Sequence, residues 1–215
     1  MKQLRKPIFD RTCRDCPRLA QFLDESQKKF PDYYCAPVPP FGDANPRLLI
    51  VGLAPGLHGA NASGRPFTGD HAGLILYRTL HRHGFASKPE SLHARDGLQL
   101  IGCRITNAVK CVPPANKPLP AEIKACNRYL AAELKTVPPG TVLLALGRIA
   151  HEAILRAFEL QAKSYTFAHG AQFELPSGHV LIDSYHCSRY NTQTRRLTEK
   201  MFDEVFQRAK QLTTG

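Results

Sequence analysis

Residues 47–70 read RLLIVGLAPGLHGANASGRPFTGD. An apolar run at 47–51 is followed at once by glycines at 52, 56, 59, 64 and 69 and prolines at 55 and 66. The run reads as a buried strand, and so much glycine directly behind it marks a loop whose backbone something approaches closely. Similar β-rich runs at 47–53, 99–107, 141–147 and 179–185 alternate with helical patterns at about 70–83, 120–136, 148–160 and 197–212. That alternation predicts an α/β fold, a three-layer α/β/α sandwich around a short, mainly parallel central sheet. A hairpin is predicted at about 164–175, turning at His169-Gly170.

Ahead of the first strand, Pro17 opens a short helix on which Leu19, Phe22 and Leu23 fall at helical spacing. Five prolines between Pro31 and Pro46 predict an extended covering loop. At 215 residues the chain suits one domain, 1–215, and is long enough to bury a sizeable core. It contains neither an internal repeat nor a low-complexity segment.

Charge narrows the partners. Lys and Arg number 29 against 18 Asp and Glu, a formal net charge of +11 and a pI near 9.5. A polyanion, nucleic acid above all, is the expected partner class, with a basic enzyme of small substrates as the alternative. No stretch has the length of a membrane span, and MKQLRKPIFDRTC lacks the apolar centre of a signal peptide. The expectation is a soluble, cytoplasmic monomer, beside the nucleoid if the cell is prokaryotic.

In a reducing compartment seven cysteines point to metal ligation or inert thiols rather than disulfides. Cys13 and Cys16 have CxxC spacing, and Cys126 lies on the apolar face of a helix with Ile123 and Leu130, fifteen positions after Cys111. Four such thiolates ligate zinc or a [4Fe–4S] cluster equally well by residue type. The alternatives are small buried hydrophobes and a redox CxxC pair. A shared site would tie the N-terminal segment, 1–46, onto the main domain. Cys35, Cys103 and Cys187 fall outside it.

In parallel sheets ligands lie beyond the carboxyl ends of the strands. The glycine loop, Asn107 and His186 all fall there. Together with Phe41-Gly-Asp43, the segments GLAPG, HGAN and GRPFTGD within 52–70, ITNAVKC at 105–111, NKP at 116–118, SYH at 184–186, NTQT at 191–194 and RLT at 196–198, they carry a resemblance. The sequence resembles the uracil-DNA glycosylase superfamily along nearly its whole length, most closely its iron–sulfur family 5, the B-type enzymes. Leu53 stands where the related family 4 has an acidic residue.

The resemblance implies a structural [4Fe–4S] cluster on Cys13, Cys16, Cys111 and Cys126, with zinc as the alternative. It also implies removal of uracil, and of hypoxanthine or other damaged bases, from DNA during base excision repair. Such a reaction requires the nucleotide to leave the duplex and enter a tight pocket. Gly52, Ala54 and Gly56 would let the backbone approach it, and Phe67 would stack on the base. The Asn107 amide can pair with the N3–H and O4 edge of uracil.

His186 would donate a hydrogen bond to O2 as charge develops on the leaving base, for which a neutral imidazole suffices. Asp70 is the carboxylate left in the first motif to position water against an oxocarbenium-like sugar. It also directly precedes a helix and could cap it. Arg189 or Tyr190 would fill the vacated space in the duplex, while Ser188, Arg195 or Arg196 would meet phosphates.

Two departures stand out: Cys187 in place of the usual proline after the histidine, and Ala62-Ser63 in place of Arg-Thr. The predicted activity is that of a monofunctional DNA glycosylase that leaves an abasic site. One rival is a non-catalytic, metal-stabilised nucleic-acid-binding protein. Another is an enzyme for a phosphorylated small molecule, disfavoured because the chain lacks a P-loop lysine motif.

Overall fold

The computed structural model describes residues 9–214; the basic tip at 1–8 and residue 215 lie outside the described residues. In chain order the elements are α1 (Pro17–Lys29), β1 (Phe41–Gly42), β2 (Leu48–Gly52), α2 (Ala60–Ser63), α3 (His71–Arg82), β3 (Cys103–Asn107) and α4 (Pro120–Leu134). These are followed by β4 (Val142–Leu146), α5 (Arg148–Ala157), β5 (Gln172–Glu174), β6 (Val180–Ser184), α6 (Arg189–Gln193) and α7 (Glu199–Thr214).

The run that opens the glycine loop is the middle of the sheet. All five residues of β2 are buried, and their alternation divides the core between the two faces. Leu48 and Ile50 pack with Leu76, Leu80, Phe202 and Phe206 of α3 and α7. Leu49 and Val51 pack with Leu130 and Leu134 of α4 and with Ile154 of α5. Burial on both faces is why this strand reads as an unbroken apolar run.

The strand order is β1-β3-β2-β4-β6-β5. The inner four strands are parallel, with Ile50 between Ile105 and Leu144. Short antiparallel strands close both edges. The predicted α/β/α sandwich with a mainly parallel sheet is therefore present.

Three details differ from the sequence reading. The strand predicted at 99–107 begins only at Cys103, because Gly102 turns at φ +59 and its amide donates to Asp43 Oδ2 at 3.2 Å. A turn does form at His169-Gly170, closed by the Ala171 amide donating to the Ala168 carbonyl at 3.0 Å, but it leads into β5 rather than closing the hairpin, and its Gly170 amide donates to the Asp183 carbonyl at 2.8 Å. The hairpin joins β5 to β6 and turns at 176–178, where Leu175 and His179 are bonded at 2.8 Å. The proline-rich segment covers the glycine loop as expected, with Tyr34 and Cys35 amides donating to Ala62 and Asn61 carbonyls, but it also supplies β1.

Candidate active site

The loops leaving β2, β3 and β6 frame one cleft of about 1210 Å³. Ala54, Gly56, Phe67, Asp70, Asn107, His186, Ser188, Arg189 and Tyr190 all border it. Parallel strands deliver these loops to one edge, so residues up to 136 positions apart in the chain meet.

Asn107 ends β3. It is 3% exposed, and its Oδ1 has no hydrogen-bond partner among the described residues. Burial without a partner costs about 1–3 kcal/mol, which a ligand with the matching donor would recover. Phe67 is buried beside it in the left-handed region at φ +53, an unusual conformation for an aromatic residue and one that marks local strain.

The Phe67 and His186 rings lie 6.0 Å apart and 28° from parallel. Desolvation alone pushes the His186 imidazole from its ordinary 6.5 down to about 4, so the ring is neutral at physiological pH. Its main-chain carbonyl accepts from Asn191 Nδ2 at 2.8 Å, which holds the start of α6 against it.

Asp70 does cap its helix: Oδ1 accepts the Gly73 amide at 2.8 Å. Its other oxygen faces the glycine loop, where a β-carbon on Gly59 would stand 2.5 Å away. Desolvation raises the Asp70 carboxyl above its ordinary value, and the Gly73 amide opposes that rise.

Gly52 does not border the cleft. A β-carbon there would collide with Asn107 Oδ1 and stand 2.7 Å from Phe67 Cζ. The closeness that the glycines allow at 52 and 59 is thus to the site's own side chains. Direct backbone contact to a bound group, the sequence-based expectation, would fall to Ala54 and Gly56.

Arg195 and Arg196 also lie outside the cleft. Arg196 borders an adjoining recess of about 350 Å³ that shares Leu53 and His186, with its guanidinium 4.8 Å from the Tyr185 ring centre. Arg195 is exposed and borders neither cavity. Of the two departures, Cys187 is fully buried with Sγ 3.5 Å from the Ala72 carbonyl, so it anchors the loop against α3. Ser63 Oγ bridges the turn, donating to the Gly59 carbonyl at 3.1 Å.

A clamp beside Phe67 was not legible in the sequence. Arg65 is 4% exposed and reaches Asp96 with two hydrogen bonds, of 3.0 and 2.6 Å, and Ser91 Oγ at 2.6 Å. Desolvation pushes the Asp96 carboxyl up, but the Arg65 bond and the Leu98 and Leu92 amides overcome it and hold the group well below the usual carboxylate range. The partners stand 31 positions apart in the chain, and no local pattern announces the pair.

The four expected ligand cysteines come together. Cys13, Cys16, Cys111 and Cys126 border one small cavity with Leu19, Lys110 and Tyr129. The Lys110 amide donates to Cys126 Sγ at 3.3 Å, and Arg128 reaches Cys13 Sγ at 3.5 Å. Burial first, and then the neighbouring thiols, push the Cys16 and Cys111 thiols up. No set of three or more His, Cys, Asp or Glu side chains among the described residues is arranged to hold a single metal ion.

A buried amide edge beside an aromatic ring, in one cleft with a neutral imidazole at the strand ends of an α/β/α sheet, suits a planar heterocycle and belongs with proteins that handle nucleobases. The comparisons agree. Residues 39–210 match the family model described as the uracil DNA glycosylase superfamily. The chain is 51% identical over 205 residues to the type-5 uracil-DNA glycosylase of Thermus thermophilus, with 93% of each chain covered. It is 44% identical to that of Mycobacterium leprae, covering 93% of this chain and 91% of the relative. A type-4 uracil-DNA glycosylase of Archaeoglobus fulgidus is 32% identical, with 78% and 79% covered. The chain belongs to the uracil DNA glycosylase superfamily.

Proposed function

We propose that this chain is a monofunctional uracil-DNA glycosylase that hydrolyses the bond between base and deoxyribose and leaves an abasic site. The observation that carries this reading is the orphaned, buried Oδ1 of Asn107 beside Phe67 and His186. Uracil offers that oxygen its N3–H and offers the amide nitrogen its O4, whereas cytosine presents the opposite pattern. Phe67 stacks on the extruded base. His186, uncharged, donates to O2 as the base departs as an anion. Asp70 orients water toward the sugar through the oxygen its helix does not use.

Ser188, Arg189 and Tyr190 meet the DNA at the cleft mouth, with Arg195 and Arg196 on its flank. The partner is DNA carrying uracil, with hypoxanthine as a second substrate, and the protein acts as an intracellular monomer. No helix among the described residues is long and apolar enough to cross a membrane.

Cys13, Cys16, Cys111 and Cys126 would hold a [4Fe–4S] cluster. The donor set fits one: all four cysteines border one cavity, and the Cys126 and Cys13 sulfurs accept hydrogen bonds from the Lys110 amide and Arg128, whereas zinc needs four ligands about 2.0–2.3 Å from one point. The cluster supplies a structural cross-link between the N-terminal segment and the β3–α4 region.

The test is incubation with end-labelled duplexes carrying uracil opposite guanine, beside hypoxanthine and undamaged controls. Breaks at uracil only after alkali, abolished in His186→Ala, are the expected result. DNA binding with no breaks from folded, metal-replete protein would establish the non-catalytic rival instead.

A further inference from the structure

Among the described residues five large hydrophobic side chains stand exposed, and three of them, Leu74, Leu92 and Tyr190, border the cleft. Tyr190 belongs to the loop already assigned to DNA. Leu92 does not: it lies between α3 and β3, in a segment with no assigned role, and is 63% exposed. A solitary exposed leucine is commonplace, so the mounting of this one matters. Asp96 Oδ2 accepts the Leu92 amide at 2.9 Å, and Oδ1 accepts the Leu98 amide at 2.9 Å. Arg65 locks that carboxylate, and Ser91, 7% exposed, is bonded through its hydroxyl to Thr68 at 2.6 Å and through its carbonyl to the Gly69 amide at 3.2 Å.

Leu92 is therefore an apolar side chain left in water on a rigid turn, tied to the residues that flank Phe67. The same cleft carries Lys117 and Arg189 on a chain of net charge +11, which matches a polyanion. An apolar side chain held at the mouth of a basic cleft is suited to enter a base stack, where its surface leaves water.

We propose that Leu92 is a second wedge, which inserts into duplex DNA beside the extruded nucleotide and holds the stack open. The proposal rests on the uracil-excision reading above. A wedge helps only where a stack must be opened, so its effect depends on strandedness, and it is greatest where the base is properly paired.

The experiment measures single-turnover uracil release by wild type, Leu92→Ala and Leu92→Met on one sequence presented single-stranded, as U·G duplex and as U·A duplex. Leu92→Ala should slow duplex release about tenfold, more for U·A than for U·G, and leave the single-stranded rate within about twofold. Leu92→Met, which keeps the apolar reach, should retain the wild-type duplex rate. The fluorescence rise of a 2-aminopurine placed next to the uracil should be blunted in Leu92→Ala on binding duplex. An unchanged duplex rate, or equal slowing on both strand forms, would overturn the wedge while excision by wild type stands. No release by wild type from any substrate would instead overturn the underlying reading.

Discussion

Gly52 closes β2 against Asn107 so tightly that a β-carbon on the glycine would overlap the amide oxygen. Phe67 presses on the same spot from 2.7 Å. Gly52→Ala should therefore displace both side chains. We expect a stability loss of about 1–3 kcal/mol, from overpacking, in urea melts. Single-turnover uracil release should fall by roughly 100-fold, because the recognition edge no longer meets the base. Release near the wild-type rate would show that the amide tolerates displacement.

Asp70 separates its two oxygens between two tasks, and Asp70→Asn keeps the cap because the amide oxygen still accepts from Gly73. Thermal stability should change by less than about 1 kcal/mol while base release slows by about 100-fold or more. An unchanged single-turnover rate would leave Asp70 as a cap alone.

Burial keeps the His186 imidazole neutral down to about pH 4. An unfolded chain would take up this proton near the ordinary 6.5, so between those values the unfolded state binds more protons and this group makes stability rise with pH. Below about 4 both states are protonated and the contribution is gone. NMR titration of the ring should give a midpoint near 4, and base release should lose activity on acidification through the same value. A midpoint near 6.5 would mean a solvated ring and would bring the imidazolium into the working range.

Arg65 and Asp96 form a pair whose side chains are 5% and 9% exposed. Arg65→Met strands a buried carboxylate and should cost about 3–5 kcal/mol. The double variant Arg65→Met with Asp96→Leu should recover part of that loss. Hydrogen exchange should quicken at Leu92 and Leu98, whose amides the carboxylate holds. Equal loss in single and double variants would show that the turn, rather than the stranded charge, sets the cost.

Cys111→Ser should lower the visible absorption of the purified protein and reduce the thermal midpoint by about 10 °C or more, because a cross-link between distant segments is lost. Limited proteolysis should then cut within α1. Full visible absorption in this variant would remove Cys111 from the ligand set.

Much of this molecule was written locally. The apolar run at 47–51, the helical spacing of α3 and α7 and the capping position of Asp70 express periods and turn chemistry that neighbouring residues set by themselves. They determined the layers, the strand ends and the placement of Phe67, Asn107 and His186 at one edge. Where backbone freedom decided the outcome, local reading was less secure: glycine turns form both at 169–170 and at 176–178, and pairing across the sheet made the second the one that closes the β5–β6 hairpin. Only the tertiary structure decided that Gly52 serves Asn107, that Arg196 turns to Tyr185 in a neighbouring recess, that Arg65 finds Asp96, and that Leu92 is held out over the cleft. Those relations join residues far apart in the chain, and they depend on which side chains the packed sheet brings within a few ångströms and which polar atoms it leaves without a partner.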